Sequence, residues 1–305
     1  MKKYEKNRIF YRTFDIDQEF YWERVNRSLG WLGNTEEEQK QTQQKLSNIT
    51  VGLAGCGGIG GMVASRLGRL GIKKIKLADP DSFDVSNINR QIGASPANLK
   101  RNKAEVVAEL VNDVTPDVDI DVFTDGILPQ NAEEFVEGCD YILDQMDFYE
   151  VKNRYALHRA FRKSPKFKFA LKVPTVAHGT YIFKYTKESM HIEDVYGIDE
   201  NTTLTPEAIL RLMERIMPQI PDYPSREMLK HWFIDLKRMP IFAACPPLAE
   251  GVLLERLTIE MAGLGEKIPN YKSLPEQPGY AFFDTASWEA RLFNGKWWDN
   301  DNIVR

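Results

Sequence analysis

A doubly wound α/β protein is what this sequence predicts. Its sheet is mostly parallel, extended by antiparallel strands, with a helical arm at the N-terminus. Three observations carry the expectation. Short β-branched or apolar runs alternate with helical stretches from about residue 49 to 173, the pattern of repeated βαβ units. The first run, ITVGLA, passes directly into the glycine-rich turn GCGGIG and then a helix. Past Val173 the rhythm changes to the alternation of TVAHGTYIFKYT, which suits antiparallel strands.

The elements follow in order. Residues 1–33 are rich in aromatics and arginines, and 35–47 (TEEEQKQTQQKLS) read as an exposed helix with few core anchors. Ile49 to Ala54 is a buried parallel strand, followed by a helix from about Gly61 to Leu70. IKKIKLAD is a second strand. NLKRNKAEVVAELVND is a helix with a stripe at Val106, Val107, Leu110 and Val111. VDIDVFT, DYILDQMD and FKFALKV are further strands; AEEFVEG and residues 149–163 are the helices between them. Residues 187–244 are punctuated by prolines around two helical stretches, 205–217 and 225–238. CPPLAEGVLLERLTIEMAGLG is a long helix closed by glycine, and YAFFDTASWEARLF supplies late strands. The expected organisation is an arm over 1–47, a nucleotide-binding domain over 48–186, a substrate-side crossover over 187–244, and a closing helix with strands over 245–305.

Composition bounds the function. With 305 residues, 43% hydrophobic and 28% charged, the chain has ample material for a core. The net charge of −4 makes no case for broad nucleic-acid binding. No apolar run approaches the roughly 18 residues that span a bilayer. The N-terminus lacks the apolar core of a signal peptide. The expected location is cytoplasmic. Cys56, Cys139 and Cys245 are far apart and form no CxxC pair, so neither a disulfide framework nor a four-cysteine zinc site is expected.

The chemistry concentrates in residues 51–103. Gly55, Gly57, Gly58 and Gly60 stand where a strand turns sharply into a helix. Small residues there let a phosphate approach backbone N–H groups at a helix N-terminus. Asp79 ends the next strand, 19 residues past Gly60, where an acid can hold ribose hydroxyls. These features alone do not choose among NAD, FAD and ATP. Asp81, Asn87, Arg90, Gln91 and Lys103 follow, with Asp144 and Asp147 near the end of the fourth strand. Hydride transfer needs the cofactor's pyrophosphate only to be held. Nucleotidyl transfer must stabilise charge building on the α-phosphate, which calls for cations and a metal-binding acid.

Taken in order, GCGGIG, ADPDSFDVSNINRQ, NKAEV and LDQMD resemble the adenylyltransferase family of ThiF, MoeB and the ubiquitin-activating enzymes, over about residues 20–185. The resemblance implies a Rossmann-like fold and an AMP-forming enzyme using ATP and Mg²⁺. A substrate carboxylate would attack the α-phosphate, pyrophosphate would leave, and a nucleophile would then displace AMP. Gly55, Gly57, Gly58 and Gly60 would line the phosphates; Asp79, with Asp81 beside it, would serve the ribose side. Asn87, Arg90 and Lys103 would contact phosphates, Gln91 would support their loop, and Asp147 would hold the metal. RVNR, ending at Arg27, resembles the family's RYNR with Val25 replacing the tyrosine. It implies a homodimer in which Arg27 enters the partner's site.

The departures point to the substrate. Many members carry two CxxC pairs; this chain has none. Cys245 reads either as a small buried residue before a helix or as a thiol activated by the helix N-terminus. His178 reads equally as structural or catalytic, and Lys172, at the end of the preceding strand, could face the substrate. The aromatics Phe10, Tyr11, Phe14, Phe20, Tyr21 and Trp22 could clasp a peptide or form a dimer arm. The long 187–244 segment and these aromatics favour a peptide or small-protein substrate over tRNA. They suggest the peptide-modifying branch that includes the microcin C and pantocin A enzymes, acting on a carboxylate such as a Glu side chain. A tRNA-modifying dehydratase and a sulfur-carrier adenylyltransferase are the alternatives within the family. An NAD-dependent oxidoreductase and a non-catalytic scaffold are the alternatives outside it.

Overall fold

The structure, a computed structural model, describes residues 2–5, 7–13, 17–219 and 224–298. Five parallel strands form its centre: β3 (Thr50–Ala54), β4 (Lys74–Ala78), β5 (Asp119–Phe123), β6 (Tyr141–Asp144) and β7 (Phe169–Lys172). Their spatial order is β5-β4-β3-β6-β7. The chain walks outward from β3 to β5 and then returns to the other side of β3 with β6. Strand order therefore reverses between β3 and β6, and the crevice beyond their carboxyl ends is where such sheets bind ligands. In register, Ala54 faces Ala78 on one side and Asp144 on the other.

The sheet is wider than the sequence suggests. β1 (Lys2–Glu5) and β2 (Arg8–Tyr11) form a hairpin that pairs antiparallel with β5. The start of the expected helical arm is thus sheet edge. Tyr11 and, on the following helix, Tyr21 are core residues, 5% and 1% exposed. Burial removes both from the proposed peptide clasp. Phe14 lies outside the described residues. On the opposite side β9 (Gly179–Tyr185) runs antiparallel to β7, and β10 (Tyr280–Asp284) and β11 (Glu289–Phe293) extend the sheet; β8 (Thr175–Val176) pairs with β9.

Helices cover both faces. One face carries α3 (Gly58–Leu70), α4 (Lys103–Val114) and α10 (Cys245–Ala262), packed through Val63, Leu67, Val107, Val111, Leu253 and Leu257. Outside α3 lie α1 (Gln18–Leu29) and α2 (Glu36–Ser47). The other face carries α5 (Ala132–Val136), α6 (Val151–Lys163), α7 (Ile192–Tyr196), α8 (Pro206–Ile216) and α9 (Arg226–Lys230), with α9 continued by a π turn, His231–Asp235. That turn replaces the second half of the helix expected over 225–238. Pro206 opens α8 behind the Thr205 cap. Prolines likewise open α10, and left-handed Gly263 ends it. Among the described residues no helix is long and apolar enough to cross a membrane.

Candidate nucleotide site

The glycine turn is shaped by backbone crowding. Gly55 has φ +100°, a left-handed conformation, and an added Cβ there would collide with the Gln145 carbonyl. At Gly60 a Cβ would overlap the Gly55 carbonyl oxygen. At Gly57 the nearest neighbour would be Gln91 Nε2, 3.7 Å away, so that face is open. The turn therefore packs tightly against the sheet and leaves its outer side free, as a phosphate cradle requires.

Asp79 holds this turn in place. Its carboxylate accepts from Cys56 N at 2.6 Å and from Asp81 N at 2.9 Å. Burial pushes its pKa up, while Lys103 and the two backbone donors oppose that rise. Asn102 explains why α4 starts at Lys103 rather than near residue 98. Its Oδ1 accepts from Glu105 N at 3.0 Å as a helix cap, and its Nδ2 donates to Asp79 O and Thr124 O. The cap is thus stitched to the ends of β4 and β5. It delivers Lys103, 8% exposed, so that its Nζ meets Asp81 Oδ2 at 2.8 Å.

Arg90 is carried by the turn after a 3₁₀ segment, Val85–Asn87. There Asn87 caps backward onto Asp84 N at 3.1 Å. Arg90 Nη1 donates to Ser86 O and to Asn89 Oδ1 at 2.9 Å, and no ion pair to it is formed among the described residues. Burial alone lowers its pKa; the guanidinium remains charged and has no acid to neutralise it. Gln91, 7% exposed, has a buried Oε1 without a hydrogen-bond partner.

Across the crevice, β6 stops at Asp144 and the chain loops through Gln145–Tyr149. The two acids expected to share this edge separate here. Asp144 is fully buried and accepts from Arg154 Nε at 2.7 Å, Arg154 Nη2 at 3.2 Å and His158 Nε2 at 3.1 Å. Burial pushes its pKa up, but Arg154 and Lys172, with the His158 hydrogen bond, outweigh it and hold the carboxyl far below the usual range. Arg154 Nη2 also donates to Met146 O at 2.5 Å, so the same guanidinium fastens the loop carrying Asp147. Asp147 itself accepts from Tyr149 N at 3.2 Å and faces the crevice.

Together these residues line one cavity of about 420 Å³: Gly55, Gly57, Gly58, Gly60, Asp79, Asp81, Asn87, Arg90, Gln91, Lys103 and Asp147. Glu150, Asn153, Thr175, Ile241 and Pro246 also line it and were missed in the sequence. Nothing in their local patterns marks them, and Ile241 and Pro246 arrive from a segment distant in the chain. Pro246, from the start of α10, would lie 3.0 Å from a Cβ at Gly58 and walls the turn.

Four candidates lie outside this lining. Arg27 is exposed on α1, which is tied through Tyr21 Oη to Gly71 O and Arg24 Nη1 to Gly68 O. That is the far end of α3, 13 residues and about 20 Å from the glycine turn. Lys172 is buried behind the crevice, 6% exposed. His178 is exposed and stacks on Phe242, with ring centroids 5.7 Å apart. Cys245, 9% exposed, donates from Sγ to Ala177 O at 3.3 Å and precedes the Pro246 wall. Cys56 is buried, and burial pushes its thiol well up, as it does at Cys139. Among the described residues no group of three or more His, Cys, Asp or Glu is placed to hold a metal ion. A lone carboxylate such as Asp147 still suits Mg²⁺, which commonly takes one or two protein acids and completes its shell with phosphates.

A glycine cradle at the switch point of a parallel sheet, with an unpaired arginine and a lysine across from an acid, defines a nucleotide-binding α/β protein. The chain belongs to the ThiF family, whose model matches residues 26–217. Over 137 residues it is 33% identical to the tRNA threonylcarbamoyladenosine dehydratase of Escherichia coli, 45% of this chain and 48% of that protein. Over 120 residues it is 34% identical to the adenylyltransferase and sulfurtransferase MOCS3 of Drosophila sechellia, 39% of this chain and 26% of that protein. The matched stretch is therefore less than half of either relative. Among solved structures it resembles PaaA, with a TM-score of 0.64 and 16% identity over 92% of this chain and 75% of that one. It also resembles E. coli MccB crystallised with ATP, with a TM-score of 0.62 and 17% identity over 90% of this chain and 72% of that one.

Proposed function

We propose that this protein activates a substrate carboxylate with ATP, releasing pyrophosphate and forming an acyl-adenylate. The observation that carries the reading is the convergence of Arg90, Lys103 and Asp147 on the glycine cradle around one cavity. An oxidoreductase would leave all three without a task. A scaffold that had lost catalysis would not need them together.

The residues divide the work. The cradle N–H groups and the α3 N-terminus receive phosphate oxygens. Asp79 faces the ribose. Arg90, held by neutral acceptors only, stabilises the charge that grows on the α-phosphate as the carboxylate oxygen attacks and the bond to pyrophosphate breaks. Lys103 exchanges its Asp81 partner for a phosphate. Asp147, with one oxygen engaged by its own loop, is placed to hold Mg²⁺; that ion, when bound, would neutralise phosphate charge.

The substrate we assign is a peptide or small protein, activated at a carboxylate such as a Glu side chain toward dehydration or cyclisation in peptide natural-product biosynthesis. Support comes from the fold likeness to PaaA and MccB, and MccB has been crystallised with MccA. Support also comes from the 187–244 segment, whose Ile241 walls the cavity and whose Phe242 stands 65% exposed beside His178. This segment would then be the substrate side of the domain that 48–186 builds. Arg27 lies too far from its own cavity to act there, so its role would be in a homodimer, in the partner's site. The second reading, a tRNA-modifying dehydratase, is favoured by the 33% identity to such enzymes.

The test is product analysis with purified protein, ATP, Mg²⁺ and a panel of peptides and tRNA. AMP and pyrophosphate released with one substrate, and lost in Arg90→Ala and Asp147→Ala, are the expected result. ADP and phosphate instead would replace adenylation with carboxylate phosphorylation. Failure to bind ATP would refute the reading altogether.

A further inference from the structure

One side of the nucleotide cavity is rimmed by residues 241–245, a strap that runs from the Arg90 loop to the β8–β9 turn. At its first end Ile241 lines the cavity, and the Ile241 carbonyl oxygen accepts from Asn89 Nδ2 at 3.1 Å. At its other end Cys245 donates from Sγ to Ala177 O at 3.3 Å and opens α10, whose Pro246 walls the glycine turn. Between these pinned ends Phe242 stands 65% exposed, stacked on His178. The strap thus presents an apolar ring to solvent beside the cavity while its backbone is held on both sides.

Asn89 uses both ends of its amide. Nδ2 holds the strap, and Oδ1 accepts from Arg90 Nη1 at 2.9 Å. A planar amide bonded at both ends has one orientation, because turning it to suit one partner breaks the bond to the other. The second acceptor of Arg90 Nη1, Ser86 O, is more distant at 3.3 Å. The stem of Arg90 lies against the glycine turn, its Cγ 3.6 Å from where a Gly58 Cβ would stand. A guanidinium is a rigid fork, so fixing Nη1 sets the directions in which Nε and Nη2 donate. Asn89 is itself exposed. Bonds of this kind contribute little net stability in water; their consequence is orientation.

We propose that Asn89 is a positioning residue that ties the Arg90 guanidinium to the 241–245 strap, so that the aim of Arg90 follows the strap and any substrate segment lying against Phe242. For the chemistry that Arg90 serves, this rests on the adenylation reading above; the tie itself does not. A peptide that packs an apolar side chain on Phe242 would steady the strap and, through Asn89, set the fork before the carboxylate attacks. ATP bound without peptide would meet a less firmly aimed arginine. Attack on the α-phosphate would then be slow until a substrate is in place.

Hydrogen exchange on the full chain reads the tie without any chemistry. A non-hydrolysable ATP analogue engages Arg90, and should slow exchange of the Phe242 amide, which shares a peptide group with the Ile241 carbonyl. Asn89→Ala should abolish that response while the analogue still binds with unchanged affinity and the melting temperature stays the same. With a peptide that supports AMP formation, Asn89→Ala should lower kcat by about tenfold or more at unchanged KM for ATP, as loss of orientation does. Asn89→Gln, which keeps both amide atoms, should recover most of the rate. In an Arg90→Ala background Asn89→Ala should cost nothing further, because its effect runs through that guanidinium. An equal exchange response in the wild type and Asn89→Ala, or a loss of kcat that persists in full without Arg90, would overturn the proposal. Coupled exchange with no AMP from any substrate would uphold the tie and remove the adenylation reading.

Discussion

Replacing Arg154 with methionine tests the buried charge cluster that holds the Asp147 loop. The side chain is 0% exposed and supplies three of the bonds at this point: two to Asp144, at 2.7 and 3.2 Å, and one to Met146 O at 2.5 Å. Methionine fills much of the volume but leaves Asp144 buried with only His158 and the Met146 amide as partners. Removing one member of a buried pair typically costs about 3–5 kcal/mol. The expected loss at pH 8 is in that range, read by urea denaturation. It should shrink at pH 5.5. Burial lowers the His158 pKa in the wild type, against the pull of Asp144; without Arg154, His158 and Lys172 are the cations left to face Asp144, and the folded pKa of His158 rises. A group with a raised folded pKa stabilises most below its unfolded pKa of about 6.5, and that support disappears as pH rises through the folded value. The double variant Asp144→Asn/Arg154→Met removes both charges and should recover more than half of the loss. A cost under about 1 kcal/mol at pH 8, or a double variant no more stable than Arg154→Met, would refute the claim that this is an essential buried pair.

Gly57→Ala should weaken ATP binding measured by calorimetry with little loss of stability, because its Cβ enters the open outer face of the turn, whereas Gly60→Ala should lower the melting temperature as well, because its Cβ meets the Gly55 carbonyl. Arg90→Ala should lower kcat for AMP formation by about 10²–10³, the usual loss of a donor aimed at developing charge, with a smaller change in ATP affinity; equal losses in both would mean that it only binds. The wild type should gain stability from pH 7 toward 10, since unfolded Lys172 holds its proton there while the folded amine, at about 7, has released it; Lys172→Met should flatten that slope in pH-dependent denaturation. Iodoacetamide should modify Cys245 before Cys56 or Cys139, which are 0% exposed and whose thiols burial pushes up; mass-spectrometric labelling in any other order would contradict the packing around the glycine turn.

The sequence by itself determined the central sheet and the half of the site nearest to it. Alternating buried strands and helices have strong periodic patterns, and each falls close to its expected place. The glycines, Asp79 and the Arg90 loop lie within a single βαβ stretch, where spacing along the chain is nearly spacing in space. Lys103 was legible for the same reason, although its helix starts later because Asn102 is bound to two strand ends.

Only the tertiary structure decided what lies across the crevice. Asp144 and Asp147 look alike in DQMD, but one is sealed against Arg154 and His158 and the other faces the cavity. The spacing of Arg154 and His158 puts both on one face of α6, yet nothing local says that this face meets a buried acid rather than water. The hairpin β1–β2 was hidden for a related reason. Its strands are four residues each, and β2 is buried by pairing with β5, more than 100 residues away. The surroundings of Lys172 come from β7, α7, α8 and the approach to β10. Such a neighbourhood has no sequence signature, because its members share a location without sharing a stretch of chain.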